Sequence, residues 1–294
     1  MYLVIGANGF LGSYILKNIL EKTKDKVIAV ARNIEIVTND LRVQWLSCDI
    51  SKKNDVDRLC GIMEDYSDIK IIFLAAYHNP DLVEKNPKLA WEINVTSLSY
   101  FINQIKNVKC FFYPSTDSVY GNSINGYHFK EHDRLAPVNR YGEQKCAAES
   151  AVVWYGYNVV RYPFLIAESL SPVKKHFYDV IVEHLRSGVE MEMFTDSLRS
   201  SLNFDMAASL LIELIEKYDT GIPKILNICG DNDLSKYDIG LMIAEKIGAD
   251  KKLIVPISVN SSEKIYEAKR AQSTLMDNSK LKEVLNLKEI LFTI

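Results

Sequence analysis

The sequence predicts an α/β protein built on a doubly wound parallel sheet, with a small lobe formed by the C-terminal part of the chain. Three observations carry this. Strand-length apolar runs alternate with helical stretches from the N-terminus to residue 162. A glycine-rich segment, GANGFLG at residues 6–12, stands between the first apolar run and the first helical stretch. Beyond Pro163 the rhythm loosens, and no Gly-, Ser- or Pro-rich linker marks off a second module.

The elements follow in order. Tyr2–Ile5 reads as the first strand and residues 10–21 as a helix. Residues 26–30 and 42–46 are the second and third strands, residues 53–65 a helix, and residues 70–75 the fourth strand. One long helix is expected over residues 87–106, because Pro87 suits a first helical turn. Residues 108–113 make the fifth strand, stopped by Pro114. Residues 139–154 are helical, and residues 157–162 make the sixth strand. Strands separated by helices of this length imply parallel pairing through right-handed crossovers. Later, Phe177–Arg186, residues 207–218 and residues 237–247 read as helices. Met191–Phe194 and residues 224–228 read as strands.

Composition narrows the functional classes. At 294 residues and 48% hydrophobic content, the chain can bury a substantial core. Net charge is −3 and no basic tract occurs, so a nucleic-acid partner is not expected. No apolar run is long enough to span a bilayer. The first strand starts at residue 2, so a leader peptide is not expected. Cys48, Cys60, Cys110, Cys146 and Cys229 are scattered without a CxxC, as in a cytoplasmic protein with reduced thiols. The five histidines lack zinc spacing, so no metal site is expected. A homodimer is left open.

Gly6, Gly9 and Gly12 keep a GxxGxxG spacing, with Asn8, Phe10 and Leu11 completing the turn. Such a strand-to-helix turn lets backbone approach a pyrophosphate and aims a helix N-terminus at it. The second strand ends in Ala29-Val30-Ala31-Arg32-Asn33, without the acid that would bind ribose hydroxyls. Arg32 can pair with a 2′-phosphate and Asn33 can add a donor. NADP(H) is therefore favoured over NAD(H), the competing reading of Arg32 being a solvated loop charge. Leu74, Ala75 and Ala76 end the fourth strand, where small residues let a dinucleotide pass. These features define residues 1–162 as an NADP-binding domain and residues 163–294 as a substrate-binding lobe with segments returning to the sheet.

The chemistry is expected after the fifth strand. STDSVYG at residues 115–121 places Thr116 at a strand end, 25 positions before Tyr141. Tyr141 and Lys145 stand four apart in YGEQK, on one face of a helix. An ammonium near the phenol would bring its pKa down from about 10 toward the working range. Tyr141 would then be the proton donor, Lys145 its partner and a ribose contact, and Thr116 a hydrogen-bond partner for the substrate oxygen. Arg161, in the sixth strand, reads as a partner for a helix end.

With GANGFLG, STDSVYG, NRYGEQKCAAE (residues 139–149) and VVRYPF (residues 159–164), the chain resembles the extended short-chain dehydrogenase/reductases. It is most similar there to the dTDP-4-dehydrorhamnose reductase group and its nucleotide-sugar relatives. RSSLNFDMA (residues 199–207) and KRAQSTLMDNSKL (residues 269–281) add weaker likeness. The resemblance implies a Rossmann fold and a nucleotide-linked sugar as substrate. It implies that Asp49 and Ile50 meet the adenine edge, and that Asn94 faces the active-site side of the cofactor. It implies that Arg199 and Arg270 approach the substrate diphosphate. His78 can reach the sugar from the loop after the fourth strand or sit at the surface. Dehydratases of this superfamily carry an Asp-Glu pair after the hydroxyl residue. Here Asp117 is followed by Ser118, where the GDP-fucose synthase type has a cysteine. What remains is simple reduction of a C4 ketone, with Asp117 beside the catalytic group, or 4-epimerisation through a transient ketone; Arg32, which suits an exchangeable NADPH rather than a tightly held NAD, favours reduction. A 4-epimerase holding NAD, or a non-catalytic nucleotide-binding subunit, is the alternative.

Overall fold

The computed structural model describes residues 1–171, 174–219, 221–259 and 266–294. Its strands are β1 (Tyr2–Ile5), β2 (Val27–Ala31), β3 (Val43–Ser47), β4 (Ile69–Phe73), β5 (Val108–Thr116), β6 (His128–Phe129), β7 (Asn158–Tyr162), β8 (Met191–Phe194), β9 (Leu198–Ser200), β10 (Ile225–Asn227), β11 (Asp233–Ser235), β12 (Ile254–Ile257) and β13 (Leu275–Met276). Its α-helices are α1 (Phe10–Lys22), α2 (Lys53–Met63), α3 (Pro80–Lys85), α4 (Pro87–Trp91), α5 (Ser97–Gln104), α6 (Arg140–Trp154), α7 (Phe177–Arg186), α8 (Phe204–Glu216), α9 (Lys236–Ile247) and α10 (Ser279–Leu285).

Seven strands form one parallel sheet in the order β10-β7-β5-β4-β1-β2-β3. The chain starts mid-sheet, winds outward through β2 and β3, then crosses β1 to β4 and winds the other way. The winding reverses between β1 and β4, so a crevice opens beyond their C-terminal ends. Every residue of β1, β2, β4 and β7 is buried, because helices cover both faces. Tyr2 and Val4 pack with α1 and α8 on one face, while Leu3 and Ile5 pack with α2, α5 and α6 on the other. The two-residue alternation of a strand produces this division.

The C-terminal part is split between two structures. β10 pairs with β7 and α8 packs on α1, so these segments return to the main sheet and its helix layer. β8 and β12 pair in parallel, and with α7 and α9 they enclose a separate apolar cluster around Ile181, Met193, Ile243 and Ile254. α8 begins at Phe204 rather than residue 207, because Asn203 caps it by accepting from Met206 N at 2.6 Å.

Two sequence expectations need correction. The helix expected over residues 87–106 is interrupted by a π-helical turn at Glu92–Thr96, and a further helix, α3, precedes it. Nor does Pro114 stop β5. Register with β4 ends at Phe112, and beyond it the strand pairs with β7 alone, Pro114 opposite Val160. With one partner instead of two, a missing N–H is tolerated there as at a sheet edge.

Candidate active site

The glycine turn is shaped for a close-lying ligand. Gly6 has φ +88°, and a Cβ there would meet Ala75 N at 3.0 Å. A Cβ on Gly12 would fall 2.4 Å from Gly6 O. Gly9 caps α1, whose first turn contains no acidic residue, so the helix N-terminus is left for an anion. The Asn8 amide donates to Asn33 O at 2.6 Å, joining the turn to the end of β2. Arg32 and Asn33 are exposed there. Burial works to raise the Asp49 carboxyl, but hydrogen bonds from Ser51 and the charge of Arg32 hold it below the usual carboxylate range. Ile50 is buried beside it. Leu74, Ala75 and Ala76 follow β4 along the same crevice. These residues fit a dinucleotide. Sequence reasoning missed Lys174, which ion-pairs with Glu35 at 2.9 Å and donates to Asn8 O at 3.2 Å.

β5 delivers Thr116 to the sheet's C-terminal edge, and α6 brings Tyr141 and Lys145. Asn139 starts α6 by accepting from Gly142 N at 2.9 Å. Gly142 permits the approach: a Cβ there would lie 2.5 Å from Ser118 O. Thr116 Oγ1 donates to Asp117 Oδ1 at 3.0 Å and accepts from Ser118 N at 3.2 Å. Lys145 is 2% exposed and donates to Tyr113 Oη at 2.7 Å and to Pro114 O at 2.8 Å. Burial pushes its ammonium down to about 7.

The expected lowering of the Tyr141 phenol is not what this arrangement produces. Burial raises it above its ordinary value, and the nearby charge of Asp117 adds to the rise. Lys145 is aimed at β5 rather than at Tyr141, so the two share a helix face without the ammonium acting on the phenol. In this state Tyr141 carries its proton at neutral pH.

Asp117 is buried against Arg199, whose Nε lies 3.3 Å from Oδ2. Burial raises the Asp117 carboxyl while Arg199 opposes the rise. Arg199 also donates to Leu198 O at 2.7 Å, Ala271 O at 2.7 Å and Gln272 O at 3.0 Å. It is thus a strut between β9 and the segment before β13, not a free diphosphate ligand. Arg270 pairs with Asp81 at 2.9 Å and lies over the Tyr266 ring. His78 is solvent-accessible on the loop after β4. The protein crowding its ring lowers its proton affinity, and Lys145 adds to this.

Asn94 is 1% exposed inside the π turn. Its oxygen accepts from Tyr77 N at 2.7 Å, and its amide donates to Tyr77 O at 3.2 Å and Gln144 Oε1 at 2.9 Å. Through these bonds it holds the loop after β4 against α6.

Arg161 was also misread. It bonds a side chain in mid-helix rather than a helix end. Arg161 and Glu149 are 1% and 3% exposed and pair at 2.6 Å. Ser115 donates to the same carboxylate, and Arg161 Nη1 donates to Tyr120 Oη at 2.7 Å. The only sequence signal was spacing: Tyr141, Lys145 and Glu149 recur every four residues.

The arrangement of glycine turn, strand-end hydroxyl and Tyr/Lys helix on this sheet is that of the extended short-chain dehydrogenase/reductases. The family described as RmlD substrate binding domain matches residues 1–292, and the chain belongs to it. The chain is 27% identical over 255 residues to a probable low-salt glycan biosynthesis reductase of Haloferax volcanii, covering 85% of this chain and 81% of that protein. It is 26% identical over 285 residues to the β subunit of methionine adenosyltransferase 2 from Pongo abelii, covering 95% and 80%. Its fold matches a dTDP-4-dehydrorhamnose reductase of Bacillus anthracis, solved in complex with NADP, with a TM-score of 0.79. That match has 18% identity and covers 99% of this chain and 94% of that one.

Proposed function

We propose that this protein is an NADPH-dependent reductase of the C4 ketone in a 4-keto-6-deoxy nucleotide sugar. The carrying observation is the pairing of Asp117 with Arg199, beside Ser118. A dehydratase needs a free acid/base couple at these positions, and here one member is ion-paired and the other is a hydroxyl. A protonated Tyr141 and a hydrogen-bonding Thr116 remain, which is enough for a ketone. A reduced nicotinamide, when bound, supplies the hydride. Gly6, Gly9 and Gly12 would hold its diphosphate, and Arg32 with Asn33 its 2′-phosphate. Thr116 would hold the carbonyl oxygen, and Tyr141 would give it a proton as negative charge develops. His78 would border the sugar. Arg199 and Arg270 would contribute field and shape on the diphosphate side rather than direct forks.

Mass spectrometry of the product tests this. Reduction should add two hydrogens, with deuterium from labelled cofactor at the sugar C4. An isomeric product of unchanged mass, formed without net NADPH use, would point to a 4-epimerase. Loss of water from an unmodified hexose would sink the assignment. The likeness to the methionine adenosyltransferase β subunit favours a second reading, a nucleotide-binding regulatory subunit. NADP(H) binding without turnover of any nucleotide-linked ketone would support that one.

Arg32→Asp is expected to move preference from NADPH toward NADH. It replaces the partner of a 2′-phosphate by a charge that repels it, at a cost of about 1.5–3 kcal/mol in NADPH binding. Cofactor titrations of both proteins check this, and a wild type that prefers NADH would refute the reading of Arg32.

A further inference from the structure

We infer that Tyr113 is a positioning residue for Lys145, its phenol oxygen anchoring the lysine ammonium at the C-terminal end of β5. The inference rests on the proposed reductase reading for the role of Lys145, but not for the anchoring itself.

Tyr113 is 1% exposed and shares an interior sheet face with Phe73 and Phe111. A phenylalanine would fill the same space. The hydroxyl is what tyrosine adds, and Lys145 Nζ donates to it at 2.7 Å. The ammonium also stands 4.0 Å from the centre of the Tyr113 ring, within cation–π range. Its second bond goes to Pro114 O at 2.8 Å. An ammonium has three donors and no acceptor. Tyr113 and Pro114 fix two of them, leaving one direction for a bound ligand. One helical turn on, Ser115 donates to Glu149, so β5 grips α6 twice along one line.

The groups facing this lysine come from several elements. Glu149 belongs to its own helix and Tyr113 to β5, while Tyr141, on the same helix, acts on Tyr113 rather than on the lysine. Asp117, in the turn after β5, acts on Tyr141, and His78 approaches from the loop after β4. Burial drives the ammonium to release its proton, and Glu149 opposes this. Tyr113 opposes it too, because a bond from a charged donor is about twice as strong as the neutral bond left after deprotonation. Without that oxygen, Lys145 should lose its proton at lower pH.

The test is Tyr113→Phe in the full chain. Lysine ζ-nitrogens are titrated by ¹⁵N NMR without cofactor, Lys145 being assigned by its loss in Lys145→Met. In parallel, kcat for NADPH-dependent ketone reduction is followed against pH. The Lys145 midpoint should fall by about 0.5 unit or more, as expected for losing a charge-assisted bond, and the alkaline limb of kcat should follow it. An unchanged midpoint in a folded variant would overturn the anchoring. A lowered midpoint with an unmoved limb would leave the anchoring standing and remove Lys145 from the reaction. Should the variant not fold, 4-aminophenylalanine at position 113, a weaker acceptor of nearly the same shape that stays neutral over this pH range, should lower the midpoint by less. No shift there would overturn the inference.

Discussion

Tyr141→Phe is expected to lower turnover by about 10²–10⁴-fold, the usual contribution of a positioned acid, while NADPH affinity and thermal stability stay near wild type. The phenol is held above its ordinary pKa by burial and by Asp117, so it is protonated throughout the neutral range. A phenylalanine keeps the ring and removes the proton. The hydroxyl has no hydrogen-bond partner among the described residues, so its loss leaves no buried group unsatisfied and folding should be unaffected. Steady-state kinetics with a nucleotide-linked 4-keto sugar, alongside cofactor titration, measures this. Turnover within a factor of two of wild type would remove Tyr141 from the mechanism.

The second large effect is on stability. Glu149→Ala should destabilise the fold by about 3–5 kcal/mol, because it strands a buried guanidinium. Arg161 donates from Nε to both carboxylate oxygens at 3.1 and 3.2 Å, and from Nη2 at 2.6 Å. Its remaining bonds, to Tyr120 Oη and Glu131 O, cannot neutralise the charge. The double substitution Glu149→Leu with Arg161→Met should cost much less, since replacing both charges by apolar groups removes the penalty. Denaturant midpoints of the three proteins decide it. A single variant within about 1 kcal/mol of wild type would mean that water reaches Arg161 and that the pair is not the brace described here.

What could be read from the sequence was what depends on near neighbours along the chain. The glycine turn and the Tyr141/Lys145 pair each lie within a turn or two, and strands buried on both faces appear as mainly apolar runs, broken by Lys70 in β4 and by Asn158 and Arg161 in β7. Contacts between distant elements could not be read this way. Lys145 with Tyr113 is 32 positions apart, and Arg161 with Glu149 joins β7 to α6. The lysine's actual partner therefore came as a correction, and so did the raised Tyr141 phenol. Pro114 misled because its tolerance in β5 depends on where β4 stops pairing. Arg199 and Arg270 were expected near a substrate diphosphate; the ion pairs they make could not be read, because their acids, Asp117 and Asp81, lie in segments far from them in sequence. Asn94 was expected to face the active site, and its bonds run to Tyr77, 17 positions away, and to Gln144, 50 away.

The π turn around Asn94 also governs phase. A regular helix closes each turn in about 3.6 residues, and a surplus residue turns everything beyond it by about 100°. Ahead of the surplus, Ala90 is buried, and after it so are Leu98, Phe101 and Ile102. The extra residue acts as a rotational offset that lets two differently aligned stretches bury their apolar sides, with Asn94 at the joint. The loop carrying Tyr77 and His78 is pinned to that joint. The position of the crevice wall is thus set by helical phase, and any change in residue count between Pro87 and Gln104 would be felt at the mouth of the site.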